Sequence, residues 1–444
     1  MQACAPRGLL KRAFAEFRYI RCTRKRVLSS VNRPWREASS VVHPPYFLAN
    51  AQWQNLQTNL AVRSHSREKA ELKDFDLFAD AAKNPSMIFP SPHGPALYKP
   101  NPPMTLSRLL GVYSQLSKSR LTSLIVLTAM SGVALSPLPA TVPILLSTAL
   151  GTALCCASAN TLNQLAEAPF DAQMARTRMR PLVRGAISPA HAVGFAVATG
   201  LSGPAILLAF VNPVSALLGT ANIGLYAGVY TTLKRSSVIN TWVGAVVGGI
   251  PPLIGWTACG GKLLPSSTYP LHFFPPPFLS DLTNAIPLEY VDNPLSALAL
   301  FCLLYSWQFP HFNSLSHVVR DSYAQGGYKM LSVTNPPLNA LVSLRHSAAL
   351  VATCSILTPL AGLTTWAFAI TSLVPNAFLS RAAWIFWKEG TEKAAKAVWN
   401  ISLWYLPVVL GLMMFHKQGL EWLTLTGWKD ESHQEDQAIQ YNSA

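Results

Sequence analysis

Charge is what this chain has least of. Only 12% of its 444 residues are Asp, Glu, Lys or Arg, while 50% are apolar; soluble domains carry about a quarter charged residues, which excludes a soluble globular enzyme. Cysteine is sparse and unpatterned. The seven cysteines (Cys4, Cys22, Cys155, Cys156, Cys259, Cys302 and Cys354) contain no Cys-x-x-Cys pair, so they support neither a disulfide framework nor a zinc cage and read as small apolar packers. Acidic residues are outnumbered, 20 against 35 Lys and Arg, for a formal net charge of +15. The first 105 residues hold 16 of the basic and 7 of the acidic groups, or +9 of that total. Basic character is therefore local, and no nucleic-acid partner is expected.

The N-terminus lacks the uninterrupted apolar core of a secretory signal. Residues 1–40 instead carry Arg7, Lys11, Arg12, Arg18, Arg21, Arg24, Lys25, Arg26, Arg33 and Arg36 against Glu16 and Glu37. Arg7 to Phe14 fits a basic amphipathic helix, so 1–40 reads as a mitochondrial transit peptide. Residues 41–105 are of mixed charge and then rich in proline (Pro85, Pro90, Pro92, Pro95, Pro100, Pro102, Pro103), the composition of an N-terminal extension and linker. At the other end, 417–444 is an acidic tail with Asp430, Glu431, Glu435 and Asp436.

Between them, 106–416 is a series of apolar spans long enough to cross roughly 30 Å of hydrocarbon: about 119–137, 141–165, 188–211, 214–233, 238–257, 295–317, 346–362, 364–385 and 397–416. Asn212-Pro213 divides the third from the fourth, since a residue before proline is pushed out of the helical region. The expected fold is all-α, a polytopic membrane protein with a bundle of about nine transmembrane helices. Loops after spans 2, 4, 6 and 8 hold Arg176, Arg178, Arg180 and Arg184, then Lys234 and Arg235, then Arg320, Lys329 and Arg345, then Lys388, Lys393 and Lys396. Loops after spans 1, 3 and 7 hold none, and the long loop after span 5 has Lys262 against Asp281, Glu289 and Asp292. The positive-inside bias puts the even-numbered loops on the side of the basic N-terminus and the acidic tail opposite. In a mitochondrial inner membrane these sides are the matrix and the intermembrane space.

The loop after span 2 holds more than that bias requires. Asn163, Glu167 and Asp171 recur every four residues, so on a helix each step turns about 40° and all three share a face; Pro169 is expected to kink or end that helix before Asp171. Such oxygen ligands suit Mg²⁺, which is usually shared with substrate phosphates. Arg176 and Arg180 follow, one turn apart on a helix, with planar guanidiniums that match phosphate oxygens. Carboxylates beside guanidiniums at a membrane surface point to a diphosphate carried by a lipid-soluble group.

The string Ala157-Ser158-Ala159-Asn160-Thr161-Leu162-Asn163-Gln164, continuing through Glu167, Asp171, Met174, Arg176-Thr177 and Arg180 to Gly185, resembles the first signature of the protohaem IX farnesyltransferases (haem O synthases), a branch of the intramembrane aromatic prenyltransferases. Leu233-Lys234-Arg235 with Asn240 to Gly248 and Pro251 to Trp256, and then Trp307-Gln308-Phe309-Pro310-His311-Phe312-Asn313 with Arg320-Asp321 and Gly326-Gly327-Tyr328, are similar to the second and third. The resemblance covers roughly 106–416 in order. It implies a transferase that moves farnesyl from farnesyl diphosphate to the vinyl group of haem b, with addition of water, to give haem O for a haem A synthase and cytochrome oxidase. It further implies Mg²⁺ at Asn163, Glu167 and Asp171. Lys234, Arg235 and Arg320 join Arg176 and Arg180 as diphosphate-binding residues, Asp321 stands at the second acidic motif, and His311 is a candidate contact to haem iron, with helix packing as its other reading. The chain departs from the branch at Arg320-Asp321-Ser322-Tyr323, where Arg-Glu-Asp-Tyr is usual, so the second motif keeps a single acid beside His317. A prenyltransferase for a phenolic quinone precursor, and a transporter or haem carrier, are the alternatives. Gly244, Gly248 and Gly249 are expected where helices pack closely.

Overall fold

A computed structural model describes residues 103–276 and 292–418; the expected transit peptide, nearly all of the extension and linker, and all but the start of the acidic tail lie outside the described residues. The described chain is helical. In order it runs α1 (Leu106–Leu116), α2 (Ser119–Leu135), α3 (Val142–Asp171), α4 (Pro189–Phe210), α5 (Pro213–Ile223), a π-helical stretch (Gly224–Tyr230), α6 (Thr231–Ser236), α7 (Asn240–Ala258), α8 (Pro294–Val318), α9 (Arg320–Gln325) and α10 (Leu331–Thr334). It continues with α11 (Pro336–Ala352), a second π-helical stretch (Thr353–Leu357), α12 (Thr358–Leu360), α13 (Ala367–Thr371), α14 (Leu373–Glu389) and α15 (Glu392–Phe415).

Helix starts follow from local chemistry. Ser188-Pro189, Asn212-Pro213, Asn293-Pro294 and Asn335-Pro336 each put a side-chain oxygen on a first-turn N–H, at 3.3, 2.8, 3.2 and 3.1 Å, while the proline supplies a helical φ and needs no N–H partner. Thr391 does the same for α15, accepting from the Ala394 amide at 3.2 Å. Gly390, at φ 62°, ends α14 in the left-handed conformation that glycine adopts freely.

Every apolar span read from the sequence falls on these helical segments. Four helical stretches, Val142–Asp171, Pro189–Phe210, Pro336–Leu360 and Glu392–Phe415, are each long and apolar enough to cross a membrane, and α2 is a shorter apolar helix. The outer surface is apolar where a soluble protein would be polar: Leu201, Leu208, Phe210 and Leu217 are 58–70% exposed. Inside, Asn163, Asn240, Asn313, Asn339, Ser343 and Ser402 are fully buried. Asn313 and Asn339 each donate a side-chain N–H to the other's backbone carbonyl, at 3.2 and 2.9 Å, joining α8 to α11. Polar groups turned inward and apolar groups outward are what a hydrocarbon solvent selects; the chain is an all-α polytopic membrane protein.

Two helices approach at van der Waals limits. A Cβ on Gly132 of α2 would stand 2.0 Å from the Pro252 carbonyl oxygen, and one on Gly255 of α7 would stand 1.9 Å from that of Ala129, so α2 and α7 meet backbone to backbone. Gly244, Gly248 and Gly249 of α7 are close-packing positions as expected, against the side chains of Tyr230, Gln308 and Phe301.

Candidate active site

The expected break at Pro169 does not occur before Asp171. Helix α3 runs through Pro169 and ends at Asp171, so the four-residue spacing holds and Asn163, Glu167 and Asp171, all buried, line one face. Each meets a cation. Lys234 Nζ donates to Glu167 Oε1 at 2.6 Å, Arg180 lies 3.6 Å from Glu167 Oε2 and pairs directly with Asp171 Oδ2, and Lys118 Nζ donates to Asn163 Oδ1 at 3.0 Å. Asn163 is further held by its donation to Thr231 Oγ1 at 3.0 Å. Burial works against the Arg180 guanidinium, but the Asp171 and Glu167 carboxylates outweigh it and raise its pKa.

Lys118 carried no signal in the sequence, where one lysine at the start of a span is indistinguishable from the positive-inside bias. It stands between α1 and α2 at φ 49°, and among the described residues no other non-glycine has a positive φ. Backbone strain of that kind costs on the order of 1–3 kcal/mol and persists where the surroundings demand it. Burial, and then the facing Arg180 and Lys234, push its ammonium down to about 7. Three basic side chains thus surround two carboxylates, an excess that suits an anion.

The remaining expected residues lie apart from this cluster in their contacts. Arg176 sits over the Tyr323 ring at 5.8 Å and Arg235 over the Phe170 ring at 3.9 Å. Arg320 meets His317 Nε2 at 3.3 Å and Asp321 at 3.7 Å. The Asp321 side chain is 91% exposed, so the second motif does not join the buried carboxylates in this structure.

As to a metal, no group of three or more His, Cys, Asp and Glu side chains capable of holding one occurs among the described residues. Asn163, Glu167 and Asp171 nevertheless present a compatible oxygen set: Asp171 Oδ1 is buried without a hydrogen-bond partner, and a carboxylate oxygen in that position calls for a cation or a donor.

Adjoining the cluster is a cavity of about 560 Å³ lined mainly by apolar side chains of α2, α3, α5, α7, α8 and α15, within the roughly 300–1,000 Å³ usual for ligand sites. Tyr226 and Tyr230, on the π-helical stretch, belong to both regions. They line the cavity, and the Tyr226 hydroxyl lies 3.3 Å from Lys118 Nζ while the Tyr230 ring lies 4.5 Å from Lys234 Nζ. A π-helical insertion in a helix often marks a functional site; here it carries two aromatic rings that the residue pattern did not single out.

His311 lines the same cavity. Ser402 Oγ–H donates to the Trp399 carbonyl at 2.7 Å, so in its 2.9 Å contact with His311 Nδ1 the hydroxyl oxygen accepts and Nδ1 carries the proton. Nε2 is left with its lone pair and with no hydrogen bond to a described residue. Trp307 stacks on the imidazole at 4.6 Å and donates its indole N–H to the Ser402 carbonyl at 3.0 Å, fixing the ring plane. A histidine oriented through one nitrogen and open at the other is the arrangement of a metal ligand. His317, held at Nε2 by Arg320, does not line the cavity and is buried against Phe386, and His346 stacks on Phe309.

The all-α membrane bundle thus sets a buried carboxylate–cation cluster beside an apolar chamber. The profile of the UbiA prenyltransferase family matches residues 125–406, and the chain belongs to that family. It is 43% identical over 310 residues to the mitochondrial protoheme IX farnesyltransferase of Homo sapiens, covering 70% of this chain and 63% of that one. It is 42% identical over 356 residues to the enzyme of the same name from Neurospora crassa, covering 75% and 66%. The chain thus spans somewhat under two thirds of the length of these relatives. A solved digeranylgeranylglyceryl phosphate synthase superposes with a TM-score of 0.54 at 16% identity over 70% of this chain and 99% of that one, which supports the fold.

Proposed function

We propose that the protein is a protohaem IX farnesyltransferase that moves the farnesyl group of farnesyl diphosphate to a vinyl group of haem b, with hydration, to give haem O. The observation that carries this reading is the junction of the two regions: a cationic cluster suited to diphosphate opens on an apolar chamber in which a histidine presents a free Nε2. Identity above 40% to two enzymes of that name supports the acceptor. Lys118, Arg180 and Lys234 hold the leaving diphosphate, with Arg176, Arg235 and Arg320 at the mouth of the same side. Asn163, Glu167 and Asp171 would hold Mg²⁺, which supplies neutralisation of leaving-group charge when bound. His311 binds the iron of haem b, and the chamber walls keep stray water from the allylic cation. Asp321, the acid of the second motif, stands exposed beside Arg320.

The nine apolar spans all cross the membrane, with the even-numbered loops and the cluster in the matrix and the C-terminus in the intermembrane space of the mitochondrial inner membrane. Residues 1–40 are removed on import, 41–105 form the linker, 106–416 the catalytic domain and 417–444 the tail, and the product passes to a haem A synthase. Single cysteines at Ser188 and Ser280 label from opposite faces of mitoplasts if this topology holds; labelling of both from the same face overturns it. The function is tested by supplying membranes containing the protein with haem b and farnesyl diphosphate and identifying extracted haems by mass spectrometry. A hydroxyethylfarnesyl haem is expected. An unchanged haem b pool, or prenylation of an added phenolic acid alone, refutes the assignment.

A further inference from the structure

We infer that Gln308 positions the water molecule that becomes the hydroxyl group of the product; the assignment rests on the farnesyltransferase reading above. Gln308 lies one turn before His311 on α8 and lines the chamber with it. Its Nε2 donates to the Ala245 carbonyl at 2.9 Å and to the Leu304 carbonyl at 3.1 Å. Two carbonyl oxygens can be satisfied only by an NH₂ group, so the bonding itself fixes which end of the amide is nitrogen. The remaining polar atom, Oε1, accepts no hydrogen bond from a described residue.

Gly248 keeps that oxygen accessible. A Cβ at this position would stand 2.2 Å from Gln308 Oε1, so any larger residue covers or displaces the carbonyl. The result is a rigidly held acceptor in a largely apolar chamber, beside the histidine assigned to the haem. A farnesyl chain and a vinyl group offer it no N–H or O–H. Water does, and a confined water needs at least two polar partners; the departing diphosphate, which takes up the water's proton, is the second.

The chemistry needs one water and no more. As the carbon–oxygen bond to diphosphate breaks, the vinyl π pair forms the bond to the allylic carbon and leaves the positive charge on the carbon next to the porphyrin ring. The water oxygen bonds to that carbon and its proton passes to the departing diphosphate; nothing is oxidised or reduced. A water donating to Gln308 Oε1 has its lone pair free for this attack. Without it, the same cation loses a proton from the adjacent carbon and gives an alkene lighter by one water.

Gln308→Met removes the acceptor, and Gly248→Ala obstructs it without replacing Gln308. Each variant is expressed in membranes, supplied with haem b and farnesyl diphosphate, and its farnesylated haems are separated by chromatography and mass. Wild type is expected to give the hydroxylated product, and both variants a ratio of alkene to hydroxylated product raised at least about tenfold, whatever their overall rate. A packing defect alone lowers the rate and leaves this ratio unchanged. Asn222→Leu, which removes another chamber amide whose Oδ1 has no partner, is expected to keep the wild-type ratio. Wild-type ratios in both Gln308→Met and Gly248→Ala, no turnover in either, or a shifted ratio only in Asn222→Leu, each overturn the assignment while the farnesyltransferase function stands. A wild type that makes no farnesylated haem overturns both.

Discussion

The charged end of α3 and the apolar chamber beside it are built on opposite plans. At the charged end nearly every polar atom is engaged: Glu167 by Lys234 and Arg180, Asp171 by Arg180, Asn163 by Lys118 and Thr231. Among the few polar groups of the chamber, His311 Nε2 and Gln308 Oε1 are oriented by bonds at their other ends and left open. A buried charge without a partner costs several kcal/mol, so the charged region must neutralise itself until the diphosphate exchanges partners with it. A neutral imidazole or amide facing a cavity costs far less and can wait open for its ligand. The two regions should accordingly fail separately.

The largest separation is expected from Glu167→Gln combined with Asp171→Asn. Removing both carboxylates leaves Arg180 and Lys234 without anionic partners and destroys the proposed metal set, so turnover is expected to fall by at least about 10²–10³, the scale of losing a single electrostatic partner of a transition state. Haem binding, followed by titration in detergent, is expected to persist. Mg²⁺-dependent farnesylation by the double variant would show that the two regions are not divided in this way.

His311→Ala is the converse test. It is expected to weaken haem binding by more than about tenfold and to shift the Soret band, with the affinity for farnesyl thiodiphosphate unchanged. Ser402→Ala, which only releases Nδ1, is expected to fall at the lower end of the 10–100-fold range for a group that orients a ligand, with Ser402→Thr restoring it. A lower melting point with an unaltered spectrum in His311→Ala would return that histidine to helix packing.

The smallest effect sharpens the boundary between the regions. Lys118 touches Asn163 on the charged side and Tyr226 on the chamber side, and with its ammonium pushed down to about 7 Lys118→Met is expected to weaken diphosphate binding by roughly 0.5–1.5 kcal/mol, the range for an ordinary hydrogen bond. Calorimetry with inorganic diphosphate measures it; an unchanged affinity would make Lys118 a strut between α1 and α2.

The difference between the regions also explains what could be read in advance. Asn163, Glu167 and Asp171 were legible because their partnership is a helical period, and the helix carried that period past Pro169 to Asp171. The caps at Ser188, Asn212, Asn293 and Asn335 were equally local, although only the Asn212-Pro213 break was read from the sequence. By contrast, resemblance puts Asp321 at a second acidic motif and Arg320 among the diphosphate-binding residues, yet the Asp321 side chain is largely exposed and, among the described residues, pairs with Arg320 alone. Lys118, Tyr226 and Ser402 carry no signal in the sequence, because each acquires its role from a residue tens of positions away.

The sequence by itself determined that this is an all-helical protein of the membrane, since apolar length, proline-capped starts and sparse charge are properties of short stretches of chain. It also determined which face of α3 carries oxygen ligands, through spacing alone. Only the tertiary structure decided which cations those oxygens meet, that a π-helical turn sets two tyrosines between cluster and chamber, and that His311 and Gln308 stand open while their other ends are tied. Most of those outcomes depend on contacts between distant residues, spanning 63–91 positions between Gln308 and Ala245, Lys234 and Glu167, or His311 and Ser402, and distances of that kind are set by how helices pack, not by the period of any one of them.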